Sequence, residues 1–185
     1  LKERGYEEGK NLTIDRQNAQ ADQSNLQNIV QRFISDKVDL ICAIATPAVQ
    51  SAANATKDIP IVGTAVTDYV SAKVVASNDA PGGNVTGTSD LAPIAEQIDL
   101  LMQIYPNAKT IGTIYSSSEI NSEIQVKAMT EYAQSKGLTV RTATISTVND
   151  IQQAAQSMVN DVDVFYEPTD NVIASAIPTL TSITD

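Results

Sequence analysis

The sequence predicts an α/β protein of parallel sheets flanked by helices, arranged as two similar lobes. Three observations carry this. Short apolar runs alternate along the chain with stretches whose apolar residues recur at helical spacing, the pattern of β–α units that build parallel sheets. The run Val38–Ala45 is almost continuously apolar, as expected of a strand buried on both faces. The chain also repeats itself. With one gap at Lys37, Gln27, Gln31, Asp36, Val38 and Asp39 match Gln152, Gln156, Asp161, Val162 and Asp163. Upstream, Leu12-Thr13 matches Leu138-Thr139, and downstream Ser51-Ala52 matches Ser175-Ala176, all at an offset of 124 to 126. Two amphipathic units can resemble each other by chance, but an ordered run of matches favours duplicated lobes.

In order, Leu1–Gly5 reads as a helix end closed by glycine, and Leu12–Arg16 as a strand. Asp22 caps a helix with the stripe Leu26, Ile29, Val30, Phe33, Ile34. After the strand Val38–Ala45, Thr46-Pro47 supplies a cap and a first-turn proline for a helix through Val49, Ala52 and Ala53. Ile59–Ala65 is a strand. Val66–Asp90 is loop, with apolar pieces at Lys73–Ala76 and Asn84–Gly87 leading to a crossover strand. A helix follows with Pro93 in its first turn and Ile94, Ile98, Leu101, Met102 and Tyr105 on one face, stopped by Pro106. Thr110–Tyr115 is a buried strand, and its helix carries Ile120, Ile124, Ala128 and Tyr132 and ends at Gly137. Leu138–Ile145 is a strand, Asn149 caps a helix with Ile151, Ala154, Ala155, Met158 and Val159, and Val162–Tyr166 is a strand. Ile173, Ile177 and Leu180 mark a last helix, bent near Pro178. The repeat asks for a first-lobe counterpart of Thr110–Tyr115 before Leu1, and for a second-lobe counterpart of Ile59–Ala65 at or beyond Asp185. The expectation is therefore the middle of a longer chain. Its N-terminal lobe is 1–88, its crossover and linking helix 89–106, and its C-terminal lobe 107–185.

Composition narrows function. The 185 residues carry a net charge of −10 from 22 acidic and 12 basic residues, with no histidine. Nucleic acid needs a basic face, so that class is excluded as a partner. No apolar run approaches the roughly 18–20 residues of a membrane span, and no signal peptide is visible. Cys42 is the sole cysteine, so no internal disulfide forms; inside an apolar strand it is expected to be a buried, inert thiol. Without histidine there is no Ser-His pair and no His-bearing metal motif. The glycines at 82, 83 and 87 form neither GxGxxG nor a P-loop. No catalytic residue, metal site or cofactor is expected. Metal binding by Asp68 and Asp170 lacks supporting spacing.

Four polar loops follow predicted strand ends, where open α/β sheets bind ligands. They are Ala45–Ala48, Val66–Asp68, Ser116–Ser122 and Pro168–Asn171. If the lobes face each other, all four line one cleft. Helix N-termini at Thr46–Ala48 and Ser118–Ser122 would offer N–H groups to a carboxylate. Asp68, Glu119 and Asp170 would offer charge to an ammonium group, so the mixture suits a zwitterionic amino acid. Bland roles compete at each position. Thr46, Asn121 and Thr169 can simply cap helices, Asp68 can start a turn, Glu119 can be solvated, and Tyr115 and Tyr166 can pack in the core.

The segments PGGNVTGTSD (Pro81–Asp90), IYSSSEINSEIQV (Ile114–Val126) and YEPTDNVIAS (Tyr166–Ser175) resemble the extracytoplasmic substrate-binding proteins of an ABC-transporter family. Its better-understood members resemble tryptophan- or phenylalanine-binding lipoproteins. The resemblance implies two Rossmann-like lobes that close on a ligand about a hinge, as in periplasmic binding proteins. It implies no enzymatic step, a small-molecule ligand, an ABC permease as partner, and an extracytoplasmic location. Membrane attachment would come through a lipid anchor outside this chain, and Cys42 is not the lipid-bearing cysteine. Its ligand-facing segments fall on Thr46 and Ala48, on Thr67 and Asp68, on Ser117, Ser118, Glu119, Asn121 and Ser122, and on Thr169, Asp170 and Asn171. Members often have proline after the Thr-Asp pair. Here Tyr69 stands there and could add an aromatic contact. The rival readings are a sugar or nucleoside ligand, a ligand-sensing domain of a transcription regulator, and an enzyme.

Overall fold

The computed structural model describes residues 1–184. After a 3-10 turn at Lys2–Arg4, closed by Gly5 in the left-handed conformation, the chain alternates strands and helices. The first lobe comprises α1 (Gln23–Ser35), β1 (Ile41–Ile44), α2 (Thr46–Ala55), β2 (Ile61–Val66) and β3 (Val85–Ser89). The second comprises α3 (Ile94–Ile104), β4 (Thr110–Ser116), α4 (Ile120–Ser135), β5 (Thr139–Ile145), α5 (Ile151–Gln156), β6 (Val164–Phe165), α6 (Asn171–Ala174) and α7 (Ile177–Thr184). Each lobe holds one all-parallel sheet, in the orders β1-β2-β3 and β5-β4-β6. Strand–helix alternation and parallel pairing are therefore as the sequence predicts.

In the second lobe β4 is the central strand, and its pleat feeds two cores. Ile111 packs with Ile94, Ile98, Val126, Met129 and Ala133 from α3 and α4. Ile114, on the other face, packs with Ile151, Ala155, Val172, Ile173 and Leu180 from α5, α6 and α7. Because α3 shares this core, the described chain passes from β3 to the second core through the short stretch 90–93.

The first lobe departs from expectation. Val30, Val49, Ala52 and Ala53 of α1 and α2 cover one sheet face, burying Ile41, Ala43, Ile61 and Val85. Among the described residues nothing covers the other face, where Ile44 is 69% and Val62 40% exposed. Cys42 stands there too, so it is exposed, not buried. An apolar run shows that a strand can be buried twice, and only the placement of helices decides whether it is.

Leu12–Arg16 forms no strand; a single bridge pairs Glu8 with Leu12. In the second sheet β4 stands between β5 and β6 and pairs with both. The repeat counterparts of β5 and β6, Leu12–Arg16 and β1, have no such strand between them among the described residues. Extended chain without a ladder partner is not sheet.

Smaller corrections share one theme, local hydrogen bonding that apolar spacing does not reveal. Asn149 caps nothing. Thr147 and Asp150 form a capping box before α5. Asp170, not Thr169, caps α6, and the last predicted helix is two, α6 and α7, separated by Ser175 and Ala176. Lys73–Ala76 is turn, and Tyr105 of the expected α3 stripe is 55% exposed.

Candidate ligand-binding cleft

A cavity of about 320 Å³ lies between the lobes, at the low end of the roughly 300–1,000 Å³ of small-molecule sites. From the first lobe it is lined by Ile44, Ala45 and Thr46 where β1 enters α2, by Ala65 and Thr67 where β2 ends, and by Asp90 after β3. From the second it is lined by Asn121 at the start of α4, by the loop Glu167–Asn171 after β6, and by Ile173, Ala174 and Ile177. Every contributing loop follows the carboxyl end of a parallel strand or opens the helix after it, the place such sheets bind ligands.

Strain marks the first-lobe wall. Ala45 has φ 79°, ψ 154° and Ala65 has φ 53°. These conformations cost a residue with a Cβ about 1–3 kcal/mol; here Ala45 turns the chain from β1 into α2, and Ala65 accompanies the register shift between Gly63 and Val66 near the end of β2. Ala45→Gly is expected to raise stability by about 1 kcal/mol, the relieved strain less the added freedom of the unfolded chain. Urea unfolding measures it.

Thr46 is the first residue of α2 and not its cap. Ala45 occupies the cap position and has no side chain to bond with. The Thr46 hydroxyl is buried, 2% exposed as a residue, and has no hydrogen-bond partner among the described residues. Thr67 turns its hydroxyl toward the second lobe, where Gln125 Nε2 lies 3.4 Å away. Asp68 turns away and accepts from Ser71 N at 2.6 Å as a turn starter. Hydrogen bonds from Ser71 hold its carboxyl below the usual carboxylate range. Tyr69 is not on the cavity wall: it is 5% exposed, inside the first core, and donates to Thr88 O at 3.2 Å.

On α4 the buried face is not the predicted apolar stripe. Ile120, Ile124 and Tyr132 are only half-buried and Ala128 is exposed. The buried side runs Asn121, Ser122, Gln125, Val126, Met129, Ala133. Its first turn is polar because it meets two buried acids. Asp170 accepts from Ser116 N and Ser122 Oγ at 2.7 Å each, and from Val172 N and Ile173 N at 2.9 Å each. Glu119 accepts from Asn121 Nδ2 at 3.0 Å, from Asn171 N at 3.0 Å and Asn171 Nδ2 at 2.8 Å, and from Val172 N at 3.3 Å. Burial pushes the Glu119 carboxyl above its usual range, against the Asn121 hydrogen bond, and nearby Asp170 pushes the same way. Far from solvated, Glu119 joins α4 to α6. Both acids are thus occupied by protein donors.

Thr46, Thr67, Asn121, Thr169, Asp170 and Asn171 thus share the cavity wall, while Ala48, Asp68, Ser117, Ser118, Glu119 and Ser122 stand outside it. Asn121 keeps a free acceptor. Its Nδ2 donates to Glu119 and, at 2.8 Å, to Thr169 O, whereas its buried Oδ1 has no partner. Tyr115 and Tyr166 pack on the α3–α4 core.

Two residues escape the sequence reading. Gln125 donates to Asn121 O at 3.1 Å and to Thr169 Oγ1, accepts from Thr169 N at 3.2 Å, and reaches Thr67 across the cleft. One turn beyond Asn121, it is readable from helical spacing once the polar face is known. Glu167 lines the cavity, and neither carboxylate oxygen has a partner although both are sealed from solvent. Burial, reinforced by Asp170, pushes its pKa up to about 8. The strand-end rule that selects Pro168–Asn171 would reach it if the loop were begun one residue earlier.

Known proteins match this architecture closely. A tyrosine-binding protein of Clostridioides difficile is 49% identical over 183 residues, covering 99% of this chain and 53% of its own length. The ABC domain from Streptococcus pneumonia, solved in complex with L-Trp, superposes with a TM-score of 0.94 at 42% identity, over 100% of this chain and 62% of that one. A substrate binding protein with adhesive properties from Clostridium difficile, in its ligand-free, open form, superposes at only 0.62 despite 48% identity, over 99% of this chain and 62% of that one. The chain spans about half the length of the curated relatives it matches. The sequence profile of ABC transporter substrate binding proteins matches residues 1–185, and the chain belongs to that family.

Proposed function

We propose that these residues form the ligand cleft of a solute-capture protein for an ABC importer, and that the ligand is an amino acid with an aromatic or large apolar side chain. The observation that carries this is a cavity whose facing walls hold buried polar atoms without partners, Thr46 Oγ1 and Asn121 Oδ1. Buried polar groups are normally paired, and a bound zwitterion would pair these. Ile44, Ile173 and Ile177 supply an apolar wall for its side chain. The names of the relatives, one tyrosine-binding and one holding L-Trp, agree.

Closure is the mechanism. Close superposition on a ligand complex, and poor superposition on an open form of higher identity, fits the same lobes set at another angle. Ligand touches both walls only when the lobes meet, so binding shifts the population toward the closed form. The lobes would be 1–88 and 107–185, joined through 89–106 with the bend at 90–93. Family membership supports a permease partner and an extracytoplasmic site of action, and a lipid anchor outside this chain belongs to the same reading. No helix among the described residues is long and apolar enough to cross a membrane.

Calorimetric titration of the full-length protein with each of the twenty amino acids tests the reading. Saturable binding of tryptophan, tyrosine or phenylalanine is expected, and binding of none of the twenty defeats it. Gln125→Ala should weaken the preferred ligand by about threefold to tenfold, the worth of one net hydrogen bond lost from the closed state. Unchanged affinity would remove Gln125 from the closure mechanism.

A further inference from the structure

We propose that Glu167 is the counter-ion of the ligand's ammonium group, and that capturing the amino acid expels a proton from this side chain to solvent. The proposal rests on the amino-acid reading of the cleft and adds which group recognises the amine.

Of the acids at or behind the cavity wall, only Glu167 is left to meet the amine. Asp170 is saturated by four donors, and Glu119, behind it, is engaged by Asn121, Asn171 and Val172. Asp90, facing from the first lobe, is exposed and keeps its hydration. Glu167 alone among the cavity-lining carboxylates is both sealed from water and without a partner among the described residues. No lysine or arginine lines the cavity to neutralise it. A buried carboxylate with neighbouring acids and no cation holds its proton, as its upward shift to about 8 reflects. An ammonium group in hydrogen-bond range favours the ionised form, so the O–H bond breaks, the proton leaves for solvent, and a carboxylate–ammonium pair remains.

The sign of the pH dependence follows. Below about pH 8 the empty cleft is protonated at Glu167, and binding must displace that proton. Affinity for an amino acid should rise about tenfold per pH unit toward pH 8 and then level off. Near pH 7 most of a proton should be released per ligand bound.

The test titrates the full-length protein with L-tryptophan, and with L-tyrosine as a second probe, in two buffers of different ionisation enthalpy. Wild type is expected to release close to one proton. Glu167→Gln should abolish the release, flatten the pH profile, and weaken L-tryptophan at least about tenfold near pH 8, the worth of a charge-assisted contact. Indolepropionate, which lacks the amine, should bind both proteins equally. L-tryptophan bound by wild type without proton release, a measurement needing no variant, overturns the Glu167 assignment while sparing the cleft. So does loss of release in Asp90→Asn but not in Glu167→Gln. Failure of wild type to bind any amino acid overturns both.

Discussion

Asp170→Ala is expected to destabilise the protein by about 3–5 kcal/mol, the cost of breaking up a buried, hydrogen-bonded charge site. Asp170 is 3% exposed and ties three segments together: the end of β4 through Ser116 N, the start of α4 through Ser122 Oγ, and the first turn of α6 through Val172 N and Ile173 N. Alanine would leave buried backbone donors unpaired, each costing about 1–3 kcal/mol, and would remove the cap of α6. In a domain of this size the melting temperature should fall by about 10 °C. Ser122→Ala removes one of the four bonds and should cost about 1–3 kcal/mol. If the two variants melt alike, Asp170 is not the junction described here.

Gly87→Ala should cost about 3 kcal/mol or more, at the upper end of overpacking. Gly87 faces Gly63 across the β2–β3 ladder. A Cβ on Gly87 would stand 2.0 Å from Tyr69 Oη and 2.1 Å from the Gly63 carbonyl oxygen. The first obstacle is the end of a side chain, but the second is backbone, so β2 and β3 would have to part. Gly63→Ala differs, since its nearest contacts are Tyr69 Oη at 2.5 Å and Val49 Cγ2 at 2.9 Å, both side chains. Tyr69→Phe should therefore rescue Gly63→Ala in part and Gly87→Ala hardly at all. Chemical unfolding of the four variants measures this, and equal rescue would mean the backbone contact does not decide the cost.

These two sites show what a sequence reveals. Alternation of apolar runs and helical stripes places β1, β2, β4 and β6 because burial in a parallel sheet demands apolar runs, while Leu12–Arg16, read the same way, joins no sheet. The repeat anticipates that α1–β1–α2 and α5–β6–α6 follow the same helix–strand–helix order. Which face of a strand acquires a cover is a tertiary matter, so Cys42 and Ile44 read as core and stand exposed. The site is legible as four loops, because strand ends punctuated by Thr, Ser, Asp and Pro are visible in one dimension. Roles within the loops are not. Glu119 and Asp170 look like free charges until their donors from α4 and α6 are counted. Glu167 falls between the predicted strand and the predicted loop, and it stands out only once the absence of a donor beside it is seen. The polar buried face of α4 defeats an apolar-stripe reading for the same reason: Asn121, Ser122 and Gln125 are buried by the acids and loop they bond, not by hydrophobicity.

A crystal structure of the full-length protein grown with L-tryptophan or L-tyrosine tests the central claim most directly. The amino acid is expected between Thr46 and Thr67 on one wall and Asn121 and Thr169 on the other, with its amino nitrogen within hydrogen-bond distance of Glu167. A ligand seated outside this cavity, or one presenting its carboxylate to Glu167, would contradict it.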